Sequence, residues 1–128
     1  MLYPYLSVNE KGHLTIADHD TVDLAERYGT ALFVLNVDRL RENCRVYVDT
    51  MKECFGEESM PLFASKSLSF TGIYRLVGEC GMGTDIVSPG ELYTALRAEF
   101  PMEKAFFHGN NKTDEDIAFA MDAGVGYF

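Results

Sequence analysis

Hydrophobic and polar positions change rhythm once along this chain. In the first 36 residues the apolar positions fall in short, extended runs. Residues 3–8 and 12–16 read as two strands joined by the turn Asn9-Glu10-Lys11-Gly12. A short helix is predicted from Thr21 to Tyr28, with Asp20 as its N-cap and Gly29 as its stop. Ala31 to Leu35, apolar and partly β-branched, predicts a strand. Then Val37, Leu40, Cys44, Val48, Met51 and Phe55 recur at steps of three and four, the mark of a one-sided helix that Gly56 ends.

From Pro61 the pattern becomes regular. Strands are predicted at 61–65, 83–87, 104–107 and 125–128, roughly twenty residues apart, with helices between them. Ser69 precedes a helix that carries Ile73, Leu76, Val77 and Cys80 and ends at Gly81. Ser88-Pro89-Gly90-Glu91 is a capping box with proline at the first helical position. Thr113-Asp114-Glu115-Asp116 offers another cap, with acids on the positive end of the helix dipole, and Gly124 stops that helix. Strand and helix in this alternation predict an α/β fold of parallel strands with right-handed crossovers. Val125 to Phe128 reads as a strand just begun. Four parallel strands alone would leave an open edge and an uncovered face, so the expectation is part of a larger fold. The change of rhythm near residue 36 is the candidate domain boundary, giving 1–36 and 37–128.

Charge narrows the function classes. A net charge of -9 over 128 residues argues against nucleic acid or an anionic membrane surface as partner. No stretch is long and apolar enough to span a bilayer, and Met1-Leu2-Tyr3-Pro4-Tyr5 lacks the order of a signal peptide, so a cytoplasmic protein is expected. Cys44, Cys54 and Cys80 match neither a zinc site nor a redox pair. Cys44 and Cys80 fall on apolar helix faces, Cys54 near a helix end, and structural thiols are expected.

The candidate chemistry gathers at strand ends. Lys66 closes the run Pro61-Leu62-Phe63-Ala64-Ser65-Lys66, where a parallel strand delivers a side chain to the active edge of an α/β protein. Lysine forms Schiff bases with carbonyl compounds once burial or a neighbouring charge lowers its pKa. On position alone, a solvated lysine is the simpler reading. Asp85 ends the second strand of the series and faces the same edge, where its charge could bias the lysine's protonation; a solvated acid before a helix is the alternative. His108, after Phe107, either contacts a cofactor or anchors its loop to Asn110. Glu91 and Ser88 are read chiefly as helix caps, and Gly109 as a tight turn. Asn110 and Lys112 could reach the edge, although Lys112 is equally a surface charge. His13 and His19 have no metal-ligand partners at useful spacing, and the acids of 114–116 need no metal. No P-loop, GxGxxG or GxSxG motif is present.

Three motifs stand in order on successive βα units: Phe63-Ala64-Ser65-Lys66-Ser67, Asp85-Ile86-Val87-Ser88-Pro89-Gly90-Glu91-Leu92, and Phe107-His108-Gly109-Asn110-Asn111-Lys112-Thr113. With Tyr28-Gly29-Thr30-Ala31-Leu32-Phe33-Val34 and Leu40-Arg41-Glu42-Asn43 upstream, the segment from Tyr28 to Phe128 closely resembles the N-terminal part of diaminopimelate decarboxylases. These belong to the alanine-racemase-like, fold-type III decarboxylases that use pyridoxal phosphate. Two positions depart from the common pattern: Ser67-Leu68 follows the lysine where many members have alanine-asparagine, and Ser65 stands where valine is frequent.

The resemblance implies the first part of a (β/α)8 barrel, with residues 1–36 pairing with a C-terminal β-domain. It implies that Lys66 holds pyridoxal 5'-phosphate as a Schiff base, with Asp85 and His108 as further cofactor-binding residues. The implied reaction is decarboxylation of meso-2,6-diaminopimelate to L-lysine, with freed Lys66 handling a proton, in a homodimer acting on a small amino acid. Residues 1–128 taken alone are expected to be inactive and poorly stable, because the phosphate cradle and the ring-nitrogen partner belong to later strands of the family's barrel. Three alternatives stay open: an ornithine/arginine-type decarboxylase, an amino-acid racemase on the same cofactor, which the second and third motifs disfavour, and a non-catalytic pyridoxal-phosphate carrier.

Overall fold

The computed structural model describes residues 3–128, so the part of the leader reading that rests on Met1 and Leu2 lies outside it. The chain divides into two compact units, one ending at Leu40 and the other running from Arg41 to Phe128.

In the first unit β1 (Leu6–Val8) pairs antiparallel with β2 (Leu14–Ile16), in the register Leu6↔Ile16, Ser7↔Thr15, Val8↔Leu14. The turn closes as expected. Asn9 Oδ1 accepts from the amides of Lys11 and His13, each at 3.0 Å, and Gly12 takes the φ of +79° that the chain reversal needs. A third strand, β3 (His19–Asp20), pairs with β2 through the two-residue turn Ala17-Asp18, where both φ values are positive. This strand was not expected, because two residues carry no alternation and the turn lacks the Asn-Gly signature of its type. Helix α1 (Thr21–Tyr28) begins on Asp20, whose side chain accepts from the amides of Val22 and Asp23, and it ends at Gly29.

The strand expected over Ala31–Leu35 is not formed: among the described residues this run joins no ladder. Phe33 is fully exposed, and Leu32, Val34 and Leu35 are partly so. An apolar β-branched run signals a need for burial, but a strand also needs a paired backbone.

The second unit takes in most of α2 (Val37–Phe55), whose period matches expectation, although Cys44 is its only buried residue. Strands β4 (Leu62–Ala64), β5 (Gly83–Ile86) and β6 (Ala105–Phe107) form a parallel sheet in sequence order. The register aligns Ala64, Asp85 and Phe106 across the sheet. Thr84, Ile86, Ala105 and Phe107 alternate with them and are buried. The strand expected at 125–128 shrinks to a single parallel bridge, Phe106↔Tyr127. Gly126 presses so closely on the Glu103 backbone that a side chain there would collide with it.

Helix α3 (Thr71–Glu79) contributes Ile73, Tyr74, Leu76 and Val77 to the core; α4 (Pro89–Arg97) contributes Leu92 and Ala95; α5 (Asp114–Asp122) contributes Ala120. Full burial of a side chain such as Leu92 stabilises the fold by about 1.5–3 kcal/mol. Tyr74 meets Phe100 edge to face, with ring centroids 6.3 Å apart. The N-cap of α3 is Phe70, which makes no side-chain cap, and Ser69 instead contacts the Tyr74 hydroxyl at 3.1 Å. The Thr113 capping box is complete, with Asp116 as its reciprocal acid.

Candidate active site

Lys66, Asp85 and His108 belong to three neighbouring parallel strands and lie at the same, C-terminal end of the sheet. Strand β4 ends at Ala64, and a 3₁₀ turn over Ser65–Ser67 follows at once, so Lys66 leaves the sheet edge rather than continuing the strand. Its side chain is exposed, and Nζ has no hydrogen bond or ion pair among the described residues. Ser65, immediately before it, is fully buried.

Asp85 lies on β5 one residue from its end and His108 directly follows β6. His108 Nε2 stands 2.6 Å from Asp85 Oδ1, with the Asp85 side chain 16% exposed. The two are not aligned as a hydrogen bond, so Oδ1 is a buried carboxylate oxygen without a satisfied partner. The His108 ring therefore sits at Asp85 and makes no bond to Asn110 among the described residues, while its amide donates to the Ile86 carbonyl at 3.1 Å. Asp85 and His108 are brought together; among the described residues neither makes a hydrogen bond or ion pair with Lys66.

The loops are tied to one another by polar side chains. Glu91 Oε2 accepts from the Val87 amide and from the Ser88 hydroxyl, both at 2.9 Å, while Ser88 Oγ accepts from the Glu91 amide at 3.3 Å. Ser88 and Pro89 thus start α4 as the motif predicts, but the acid serves Val87 rather than the Ser88 amide of a regular box. Oε1 of the same carboxylate accepts from Ser65 at 3.0 Å. Lys112 is half-buried: it donates to the Val87 carbonyl and lies over the Phe107 ring, 4.3 Å from the centroid. Gly109, at φ +140°, leaves the space that Lys112 Nζ occupies. The cap motif pointed to Glu91, but its bond to Ser65 spans 26 residues and has no local signal. Lys112 likewise crosses 25 residues to Val87.

Residues 39–128 match the model of the family described as "Pyridoxal-dependent decarboxylase, pyridoxal binding domain". Diaminopimelate decarboxylase of Bacillus methanolicus is 44% identical over 119 residues, covering 93% of this chain and 27% of the relative. The crystal structure of M. jannaschii diaminopimelate decarboxylase in complex with L-lysine superposes with a TM-score of 0.82 at 31% identity, over 96% of this chain and 29% of that one. Lysine/ornithine decarboxylase of Vibrio vulnificus, solved with cadaverine, shares the fold at 22% identity and a TM-score of 0.67, over 81% of this chain and 27% of that one. The chain thus spans little more than a quarter of the length of the relatives it matches.

The local chemistry fits pyridoxal phosphate. Among the described residues, an amine without a hydrogen-bond or ion-pair partner and a buried carboxylate oxygen without a satisfied hydrogen bond stand at one end of the sheet, an arrangement suited to an aldehyde-bearing, partly cationic ring. The α/β fold is that of the fold-type III enzymes, and the chain belongs to the pyridoxal-dependent decarboxylases, within whose pyridoxal binding domain its residues 39–128 fall.

Proposed function

We propose that the protein carrying this chain is a diaminopimelate decarboxylase, converting meso-2,6-diaminopimelate to L-lysine and carbon dioxide. The observation that carries the reading is the gathering of Lys66, Asp85 and His108 from successive βα units at one end of a parallel sheet. In this reading Lys66 holds pyridoxal phosphate through Nζ. When bound, the cofactor supplies an electron sink for the pair left behind as carbon dioxide departs. Lys66 Nζ would also be placed to hold or deliver a proton at the reacting centre. Asp85, at the same end of the sheet, would offer its carboxylate to the bound group. His108, held at the Asp85 carboxylate, lines the same edge.

The reading extends to the whole protein as a homodimer working in the cytoplasm on a small amino-acid substrate. Residues 37–128 form the first part of the barrel, and residues 1–36 pair with a β-domain.

Borohydride reduction of the full-length protein with pyridoxal phosphate, followed by peptide mapping, is expected to label Lys66. Label on another lysine, with none on Lys66, would sink the assignment. Carbon dioxide release is expected from meso-diaminopimelate and not from ornithine or arginine. The opposite preference would move the protein to the other decarboxylase class.

A further inference from the structure

Ser65 is a fully buried polar residue at the site, directly before Lys66 and bonded to the strand that carries Asp85. It is the immediate neighbour of Lys66, and its hydroxyl donates to the backbone carbonyl of Asp85 at 2.5 Å and to Glu91 Oε1 at 3.0 Å. One hydroxyl proton serves both acceptors, so the contact fixes Ser65 against a peptide oxygen and a carboxylate together. The same residue's carbonyl accepts from the Leu68 amide at 3.1 Å, and Ser67 Oγ donates to the Ala64 carbonyl at 2.8 Å, closing the turn around Lys66. Glu91 is itself fixed by Val87 and Ser88 at the start of α4. The Ser65 hydroxyl thereby ties the turn that carries Lys66 to the neighbouring βα unit.

We propose that Ser65 is a positioning residue: its hydroxyl sets the direction in which Lys66 leaves the sheet and holds that turn in register with Asp85. A valine in its place would fill the space but could donate to neither acceptor. An unanchored turn would let Nζ sample more directions, lowering the fraction of time spent in the attacking geometry. The inference rests on the reading of Lys66 as the cofactor lysine.

The test uses the full-length apoprotein and its Ser65→Val and Ser65→Thr variants. Each is mixed with saturating pyridoxal phosphate, capture is followed by absorbance, and the site is fixed with borohydride and mapped. Melting temperature is measured in parallel. Ser65→Val is expected to slow capture on Lys66 about tenfold, a modest share of what misplacing a reacting group can cost. Ser65→Thr, which keeps the hydroxyl, is expected to recover most of that rate, whatever the two melting temperatures. Capture on Lys66 at the parent rate in Ser65→Val overturns the proposal, as does equal slowing in both variants. Should Ser65→Val not fold, Ser65→Ala replaces it under the same criteria; if neither folds while Ser65→Thr captures at the parent rate, the hydroxyl serves the fold and the positioning role is refuted. Label on a different lysine in the parent protein instead refutes the reading beneath it.

Discussion

Between Tyr3 and Leu40 a single residue is buried, and it is polar: Thr15, whose hydroxyl meets that of Ser7 across the hairpin at 2.5 Å. Between Arg41 and Phe128 the buried residues run from Cys44 to Val125 and include Ile73, Tyr74, Ile86, Leu92 and Phe107. The first unit takes its shape from side chains that bond to nearby backbone and to one another: Asn9 across its turn, Asp20 to Asn9 and His13, and Thr21 to the Leu14 carbonyl. The second is held by apolar packing under its sheet, and its polar bonds gather at the strand ends where the candidate site lies. Local polar bonds can define a hairpin without making it stable, since each contributes only about 1 kcal/mol net. A packed core can support a site whose own groups are left unsatisfied, as Asp85 Oδ1 is.

The largest expected effect lies in the core. In residues 1–128, Leu92→Ala is expected to cost about 2–5 kcal/mol, because truncating the fully buried side chain leaves a cavity in the core. Val8→Ala, at a side chain 58% exposed, is expected to change stability by less than about 0.5 kcal/mol. Denaturant midpoints measure both. The full-length protein sharpens the contrast. If a β-domain pairs with residues 1–36, Val8→Ala there should cost up to about 1.5 kcal/mol, the transfer value of two methyl groups. An unchanged small effect would count against that pairing.

A smaller effect is expected at Asp20. Its nearly buried position raises the carboxyl pKa, but hydrogen bonds from His13, the Val22 amide, Asn9 and the Asp23 amide outweigh this and hold it at about 2, below 3.8. A group depressed in the folded state stabilises above its unfolded pKa and loses that contribution as pH falls through the folded value. The first unit should therefore loosen between pH 3.8 and about 2. Hydrogen exchange at the Val22 and Asp23 amides is expected to accelerate in that window, and Asp20→Asn should remove the acid dependence. Acceleration that persists in Asp20→Asn would assign it to another carboxylate.

The same contrast explains what could be read from the sequence. The spacing of Cys44, Val48 and Met51, the Ser88-Pro89 start of α4 and the Thr113 cap are local signals, and each marks an element that formed. The placement of Lys66, Asp85 and His108 at one end of the sheet was legible because each follows or ends an apolar run in a regular series. Ala31–Leu35 misled because apolar content cannot show whether a neighbouring strand is present. β3 was missed because its two residues are held by pairing to β2 rather than by any pattern of their own. The anchoring of the Lys66 turn was hidden for a related reason: Ser65 meets Asp85 and Glu91 only after two strands have paired.

The smallest expected effect is a difference in reactivity within the second unit, where thiols report how closed its core is. Cys44 is 3% exposed, and burial, together with the thiol of Cys80 beside it, pushes its pKa up from 9.0 to about 11. At pH 8 about a thousandth of Cys44 would then be thiolate, the nucleophilic form, and the core also blocks the approach of a reagent. Cys54 lies on the exposed side of α2. Iodoacetamide under native conditions is therefore expected to modify Cys54 first, with Cys44 following only on unfolding, as mass mapping of timed digests would reveal. Leu92→Ala provides the internal control, since loosening the core should raise the Cys44 rate while leaving Cys54 unchanged. If Cys44 reacted as fast as Cys54 in the unmutated chain, the second unit would lack the closed core that separates it from the first.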